Sequence, residues 1–130
     1  MKIYVAAPWK EREKASEYAG KIRDLGHTIT HEWWRFENVP EGNRNDEFHR
    51  ICAIVDSYGV RDADVVVLLN SMKSEGKAVE QGIAIALGKK IIAVGKRGEH
   101  SKNVFHYMDN YIWVDDFDRA LALLTPPEAR

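Results

Sequence analysis

The sequence has little of what marks secreted, membrane or nucleic-acid-binding proteins. Its 130 residues include one cysteine, Cys52, which excludes an internal disulfide framework and a zinc site built from cysteines. Lys and Arg number 19 against 20 Asp and Glu, and the net charge of -1 offers no basic excess for nucleic acid. Apolar runs such as residues 65–69 are far shorter than the roughly 18 residues of a membrane span. We therefore expect a soluble, cytoplasmic protein without a signal peptide that binds neither membranes nor nucleic acid.

What is present is a globular composition, with 45% hydrophobic residues, in a length typical of one domain. We predict a single domain over residues 1–130. Strand-like segments alternate with helical patterns along the chain. The predicted strands are residues 2–7, 27–31, 63–69, 90–94 and 111–114, and the predicted helices are residues 10–25, a helix capped by residue 45 or 46, residues 77–87 and residues 115–124.

This alternation predicts an α/β fold of three layers, flavodoxin-like or Rossmann-like, with a five-stranded parallel sheet of order 2-1-3-4-5. In such sheets a ligand binds outside the carboxyl ends of the strands where the strand order reverses, here between strands one and three. Helical spacing predicts two further apolar faces. On the second helix the face comprises Phe48, Ile51, Cys52 and Val55, and on the third helix Val79, Ile83, Ala86 and Leu87 are expected to pack on the sheet.

The segment 74–82 follows the central strand and enters the third helix. Gly76 permits close approach of a ligand to the backbone, and the start of the helix offers free N–H groups to an anion. Glu80 is expected in the first turn or so of that helix, near the mouth of the crevice. Taken alone, Glu80 is more simply interpreted as a solvated helix glutamate at a favourable dipole end.

A second carboxylate, Asp56, borders the predicted apolar face of the preceding helix. Two carboxylates near one crevice suit the cleavage of a glycosidic bond, in which one attacks the sugar carbon and the other handles the proton of the leaving group. The alternative for Asp56 is a solvated aspartate in the last turns of a helix, where the helix dipole disfavours an acid.

Together these residues form a pattern: Tyr4 in the first strand, Asp56 eight residues before Asp64, then Ser74-x-Gly76-x-x-x-Glu80-x-Gly82-x-Ala84. The pattern resembles the nucleoside 2-deoxyribosyltransferase superfamily, which includes the 2′-deoxynucleoside 5′-phosphate N-hydrolases. The resemblance extends over nearly the whole chain.

The resemblance implies roles for five residues. Glu80 matches the nucleophile that forms a covalent glycosyl-enzyme at C1′, and Asp56 matches the acid that assists proton transfer. Tyr4 matches a tyrosine that positions the nucleophile and the sugar. Ser74 and Gly76 match the stretch that receives the 5′ end of the nucleoside.

The residue at position 74 separates two activities within the superfamily. Base-exchanging transferases carry an aspartate there, which accepts a hydrogen bond from a free 5′-hydroxyl but would repel a phosphate. A serine hydroxyl such as that of Ser74 can donate to a phosphate, and Lys10 matches a cationic position that contacts phosphate in the hydrolases. The resemblance therefore favours a nucleoside 5′-monophosphate as substrate.

Other candidate residues surround this pattern. Ala7 stands where relatives often have a glycine beside the phosphate. Trp33 is positioned to stack on the base, whereas Trp34 is better interpreted as a core or dimer-interface residue. His31 and His49 could reach the crevice, although a lone histidine is more often packed or on the surface. No spacing of His, Asp and Glu indicates a metal site, and the chemistry requires no cofactor.

The resemblance also implies a homodimer in which a polar residue near the C-terminus completes the neighbour's site. Within residues 101–106, Asn103 is the predicted donor. The function expected from all of this is hydrolysis of the N-glycosidic bond of a nucleotide, with a glycosyl-Glu80 intermediate. One alternative is base exchange on free deoxynucleosides, and another is a nucleotide-binding module without catalysis.

Overall fold

The computed structural model of the protein describes residues 1–126 and confirms the predicted sheet. Five parallel strands are ordered β2-β1-β3-β4-β5. The strands are β1 (Lys2–Ala6), β2 (Thr28–Ile29), β3 (Val65–Leu69), β4 (Lys90–Val94) and β5 (Tyr111–Val114). The α-helices are α1 (Arg12–Asp24), α2 (Asp46–Asp62), α3 (Glu75–Ala86) and α4 (Phe117–Leu124). Short 3-10 helices span Trp9–Glu11, Trp33–Asn38, Glu41–Asn43 and Val104–Tyr107.

The centre of the sheet is buried on both faces. All five residues of β3 are buried, as a continuous β-branched and aliphatic run predicts for a strand covered by helices on either side. Side chains cap three of the helices at their first turn. Asn45 accepts a hydrogen bond from the Phe48 N–H, Ser74 from the Lys77 N–H, and Asp116 from the Arg119 N–H. These caps fix where the helices on each face begin.

Apart from shifts of one or two residues at other element ends, the structure differs from the predicted elements in three places. The second strand is two residues long rather than five, and the expected loop at residues 37–45 contains turns of 3-10 helix. Helix α3 begins at Glu75 rather than at Lys77 because Ser74 caps it. Glu80 is therefore the sixth residue of α3 and lies in its second turn, not its first.

The predicted apolar faces of two helices are mostly wrong as core faces. On α3, Ile83 packs against the core as predicted, but Val79, Ala86 and Leu87 are exposed, and the buried residues are Lys77, Gln81 and Ala84. Polar side chains displace apolar ones there because each polar group finds a hydrogen-bond partner in the interior. On α2, Ile51 and Val55 are exposed as well, and burial is confined to Gly59 and Val60 near the helix end.

Within residues 1–126, no helix is both long enough and apolar enough to cross a membrane.

Candidate active site

A buried tyrosine and a glutamate meet at the carboxyl end of β1. The Tyr4 side chain is fully buried, and its hydroxyl donates a hydrogen bond to Oε2 of Glu80 on α3. Gly59 of α2 makes room for the ring. A Cβ at position 59 would lie 3.0 Å from the Tyr4 ring and 2.8 Å from Cβ of His31. The close approach of α2 to β1 therefore requires glycine at this position.

The surroundings of Glu80 oppose its ionisation. Burial is the largest effect and raises the pKa of Glu80 to about 8, with the charge of Asp56 acting in the same direction. The hydrogen bond from Tyr4 and the positive charge of Lys77 lower that pKa. The Tyr4 pKa is itself raised well above its usual value, first by burial and then by Glu80 and Asp56. Tyr4 is thus a donor that keeps its proton, and Glu80 is a carboxyl group with a perturbed pKa, as is common at functional sites.

The second acid, Asp56, is on α2, and its side chain contacts a histidine. His31 Nε2 is 3.1 Å from Asp56 Oδ1. The pair has ion-pair spacing but lacks hydrogen-bond alignment, and both atoms are sealed from solvent without another partner among residues 1–126. Their local backbone is anchored, since the Thr30 hydroxyl donates to the Gly59 carbonyl at 2.7 Å. The contact with His31 and this backbone anchor hold Asp56 in the wall of the cavity described next.

Two adjoining cavities open around these acids. One, of about 300 Å³, contains both carboxylates, and its lining residues are Ala7, Trp9, Trp33, Asp56, Ser74, Gly76, Lys77 and Glu80. The second, of about 320 Å³, is largely aromatic, and its lining residues are Trp9, Trp33, Phe36, Arg44, Phe48, His49, Cys52 and Asp56. We call them the acidic cavity and the aromatic cavity. They share Trp9, Trp33 and Asp56, so they form one two-lobed crevice at the reversal of strand order.

A comparison with known protein families identifies the family of this chain. The sequence model of the family described as nucleoside 2-deoxyribosyltransferase matches residues 3–124. The chain belongs to the nucleoside 2-deoxyribosyltransferase family. It is therefore an enzyme of N-glycosidic bond chemistry on nucleosides or nucleotides. No curated protein matches the sequence significantly.

Solved structures of other proteins share the fold of this protein at low sequence identity. A CMP N-glycosidase of Clostridium botulinum is 22% identical with a TM-score of 0.63, covering 95% of this chain and 98% of its own. A 2-deoxyribosyltransferase of the psychrotolerant bacterium Bacillus psychrosaccharolyticus is 24% identical with a TM-score of 0.68, covering 96% of both chains. The two relatives have different activities on one architecture, so fold alone does not choose between hydrolysis and transfer.

Most of the predicted site residues of this family member meet in the crevice. The acidic cavity brings together Ala7, Trp33, Asp56, Ser74, Gly76 and Glu80, with Tyr4 beneath them. Trp33 is fixed there by its indole N–H, which donates to the Val5 carbonyl at 2.7 Å. Trp34 is buried beside it with the rings edge-on, as expected of a core residue.

Two predicted residues lie outside the acidic cavity. Lys10 is exposed on the 3-10 helix that follows β1 and lines neither lobe. Asn103 caps the 3-10 helix Val104–Tyr107, where its side chain accepts from the Phe105 N–H at 3.0 Å. It lines a neighbouring cavity of about 220 Å³ that shares Ser74 and Lys77 with the acidic cavity. Within one chain, neither residue reaches Glu80.

Sequence reasoning missed two side chains that line the acidic cavity. Trp9 lines both lobes, with the Arg12 guanidinium 4.9 Å from its ring centroid. Lys77 is buried in the floor of the acidic cavity. One signal was available, because Lys77 precedes Glu80 by three residues and therefore shares its helix face. Among residues 1–126, no three His, Cys, Asp or Glu side chains cluster as metal ligands would.

Proposed function

We propose that the protein cleaves the N-glycosidic bond of (2′-deoxy)nucleoside 5′-monophosphates in the cytoplasm, through a covalent glycosyl-Glu80 intermediate. The observation that carries the proposal is the Tyr4–Glu80 hydrogen bond at the floor of a cavity that also contains Asp56. A fixed nucleophile and a second acid in one cavity are the minimum that a retaining mechanism needs.

The reaction takes two balanced steps. In the first, an oxygen of Glu80 forms a bond to C1′ while the C1′–N bond breaks, and its electron pair leaves with the base. Asp56 supplies or relays the proton that the base takes up. In the second, water attacks C1′ and the ester bond to Glu80 breaks, with the proton of water passing to Asp56. The products are free base and sugar 5-phosphate, and Glu80 is again a carboxylate.

The two lobes divide the substrate between them. The aromatic cavity suits the base, because Trp33 and Trp9 offer ring faces for stacking at the boundary of both lobes. The acidic cavity suits the sugar and its 5′ end. Ser74 Oγ accepts from the Lys77 N–H at 3.3 Å, which leaves the hydroxyl proton to donate toward a phosphate. The first-turn N–H groups of α3 at Glu75 and Gly76 add donors for an anion.

The proposal includes a homodimer. Apolar side chains on neighbouring helices α2 and α3 are exposed in the single chain, and they form a face that water disfavours. Its members are Ile51, Ile54, Val55, Tyr58 and Val79. Asn103 shares two cavities with Ala78 and Gln81 of α3, beside this face, and we propose that a second copy covering the face places its segment 101–106 at the neighbour's crevice. Light scattering tests this: Ile54→Glu on the face should give monomers, whereas Leu123→Glu on α4 should not.

The decisive experiment is a panel of ribo- and deoxyribonucleoside 5′-monophosphates and free nucleosides, scored for released base by chromatography. We expect base release from monophosphates, loss of release in Glu80→Ala with nucleotide binding largely kept, and a mass increase on the Glu80 peptide after rapid quenching. Efficient formation of a new nucleoside from deoxynucleoside and acceptor base would instead assign base exchange. Nucleotide binding without base release from any substrate would assign a binding module.

A further inference from the structure

Lys77 is a buried cation beside the proposed nucleophile. Its side chain is only 3% exposed, and its Nζ donates to the Leu69 carbonyl at 2.9 Å and to the Met72 carbonyl. Burying an ammonium group is costly unless hydrogen bonds and opposite charges compensate it. Glu11 supplies an opposite charge, and Glu80 does so in its ionised form; both favour the charged form of Lys77, although burial lowers its pKa overall.

The position of Lys77 connects three parts of the crevice. It lies three residues before Glu80 on one helix face, and both residues line the acidic cavity. Its backbone N–H donates to Ser74 Oγ, on the side proposed for the phosphate. Its ammonium group holds the carbonyl of Leu69, at the end of β3, and that of Met72, in the loop before α3. A single residue therefore connects the nucleophile, the loop and the serine.

A buried hydrogen-bond network holds Lys77 in place. Gln81 donates from Nε2 to the backbone carbonyl of Lys77 at 3.1 Å, so Oε1 is the accepting atom of the Gln81 side chain. That oxygen accepts from His106 Nε2 at 3.0 Å and from the Tyr111 hydroxyl at 2.7 Å. The network ties the first turns of α3 to β5 and to the 3-10 helix before it, so the backbone that carries Lys77 is fixed before a substrate arrives.

We propose that Lys77 is a positioning residue of the glycosyl-transfer step, holding the loop under the 5′ end of the substrate and stabilising the attacking carboxylate of Glu80 through its buried positive charge. This inference rests on the proposed function.

The groups around Glu80 come from three elements: Tyr4 from β1, Asp56 from α2 and Lys77 from α3. Asp56 opposes ionisation of Glu80, while the Tyr4 hydroxyl and Lys77 favour it. Without Lys77, the Tyr4 hydrogen bond alone would oppose the effects of burial and Asp56. Facing Lys77 itself are Glu11, from the 3-10 helix after β1, and His106, from the one before β5.

The test compares Lys77→Met with Lys77→Arg. The matched control is Lys73→Met, because Lys73 is an exposed lysine on the loop that Lys77 contacts. The ionisation of Glu80 is followed in the intact, substrate-free protein by NMR of ¹³Cδ-labelled glutamate, and by the pH profile of kcat/KM. We expect Lys77→Met to move both midpoints upward by about one pH unit, the smaller end of the effect of a nearby opposite charge. Lys77→Arg should retain most of the wild-type midpoint, and Lys73→Met all of it.

If Lys77→Met does not fold, Lys77→Gln takes its place, because the amide can still donate to the loop carbonyls. A lowered melting temperature with an unmoved Glu80 titration would show a purely structural lysine and would overturn the inference. The NMR titration needs no turnover. Failure of the wild type to release base would therefore refute the proposed function separately from the electrostatic effect of Lys77 on Glu80.

Discussion

Removing the Tyr4 hydroxyl is the most direct test of how the crevice controls the ionisation of its proposed nucleophile, Glu80. The hydrogen bond from Tyr4 lowers the pKa of Glu80 against the effect of burial, and the balance is a pKa of about 8. Attack on C1′ requires the carboxylate, so kcat/KM of the wild type should rise with pH and reach half its maximum near that value. Tyr4→Phe keeps the ring and the burial and removes only the donor.

The size of the effect follows from the bond that is lost. A hydrogen bond to a charged group contributes about 1.5–3 kcal/mol, and about 1.4 kcal/mol corresponds to one pH unit. Because the protonated carboxyl also loses a weaker hydrogen bond, we expect an upward displacement of about one unit. With half-ionisation near pH 8, about a tenth of Glu80 is charged at pH 7, and the variant would have about a hundredth. This predicts about a tenfold loss of kcat/KM at pH 7 that shrinks as pH rises.

The assay is base release from pH 5.5 to 10, with ¹³Cδ NMR of the free protein as a readout independent of turnover. The matched control is Tyr18→Phe, which removes another tyrosine hydroxyl, on α1, where the ring stacks on Phe117 and lines neither lobe of the crevice. It should leave the midpoint unchanged. A Tyr4→Phe midpoint equal to that of the wild type, or displaced to lower pH, would refute the assignment of Tyr4 as the donor that promotes ionisation.

Three further predictions concern the same crevice. Between pH 4.5 and about 8 the folded state retains a proton on Glu80 that the unfolded state releases. The free energy of unfolding of the wild type should therefore fall as the pH rises through this range. In thermal unfolding, Glu80→Gln should have a higher melting temperature than the wild type at pH 8 but not at pH 5. Gly59→Ala should cost about 1–3 kcal/mol in urea unfolding because its Cβ would meet Tyr4 and His31, whereas Gly20→Ala, with open space around it, should not destabilise. Ser74→Asp should lower kcat/KM at least tenfold for monophosphates, roughly the effect of one unfavourable close charge, and far less for free nucleosides.

The sequence was sufficient for the topology because its signals there are local. A continuous apolar β3, helices between the strands and glycine after α1 predict a parallel sheet whose order reverses between β1 and β3. That reversal brings Tyr4, Glu80 and Asp56 together, although they come from three separate elements. The parallel register of β1 and β3 places their carboxyl ends side by side.

The faces of the helices could not be predicted in the same way. Lys77 and Gln81 are buried because their partners, the Leu69 carbonyl and the His106 and Tyr111 side chains, lie in other elements. A periodicity analysis assigns apolar residues to the core and cannot anticipate partners that only the fold supplies. The same limit explains Trp9, which follows Pro8 in a short 3-10 helix without a periodic pattern and still lines both lobes of the crevice.

The burial that opposes ionisation of Glu80 also favours the proposed intermediate. A free carboxylate at this site carries a negative charge that the surroundings solvate poorly, as its pKa of about 8 records. Formation of the glycosyl ester removes that charge from the interior, and with it the repulsion from Asp56. Tyr4 and Lys77 then have the opposite task, which is to keep enough of the carboxylate in its charged form to attack. A solvent-exposed glutamate would ionise more readily but would gain nothing from becoming an ester. The rate should therefore peak at an intermediate degree of stabilisation of the carboxylate, and a variant that lowers the pKa of Glu80 far below 7 should also react more slowly.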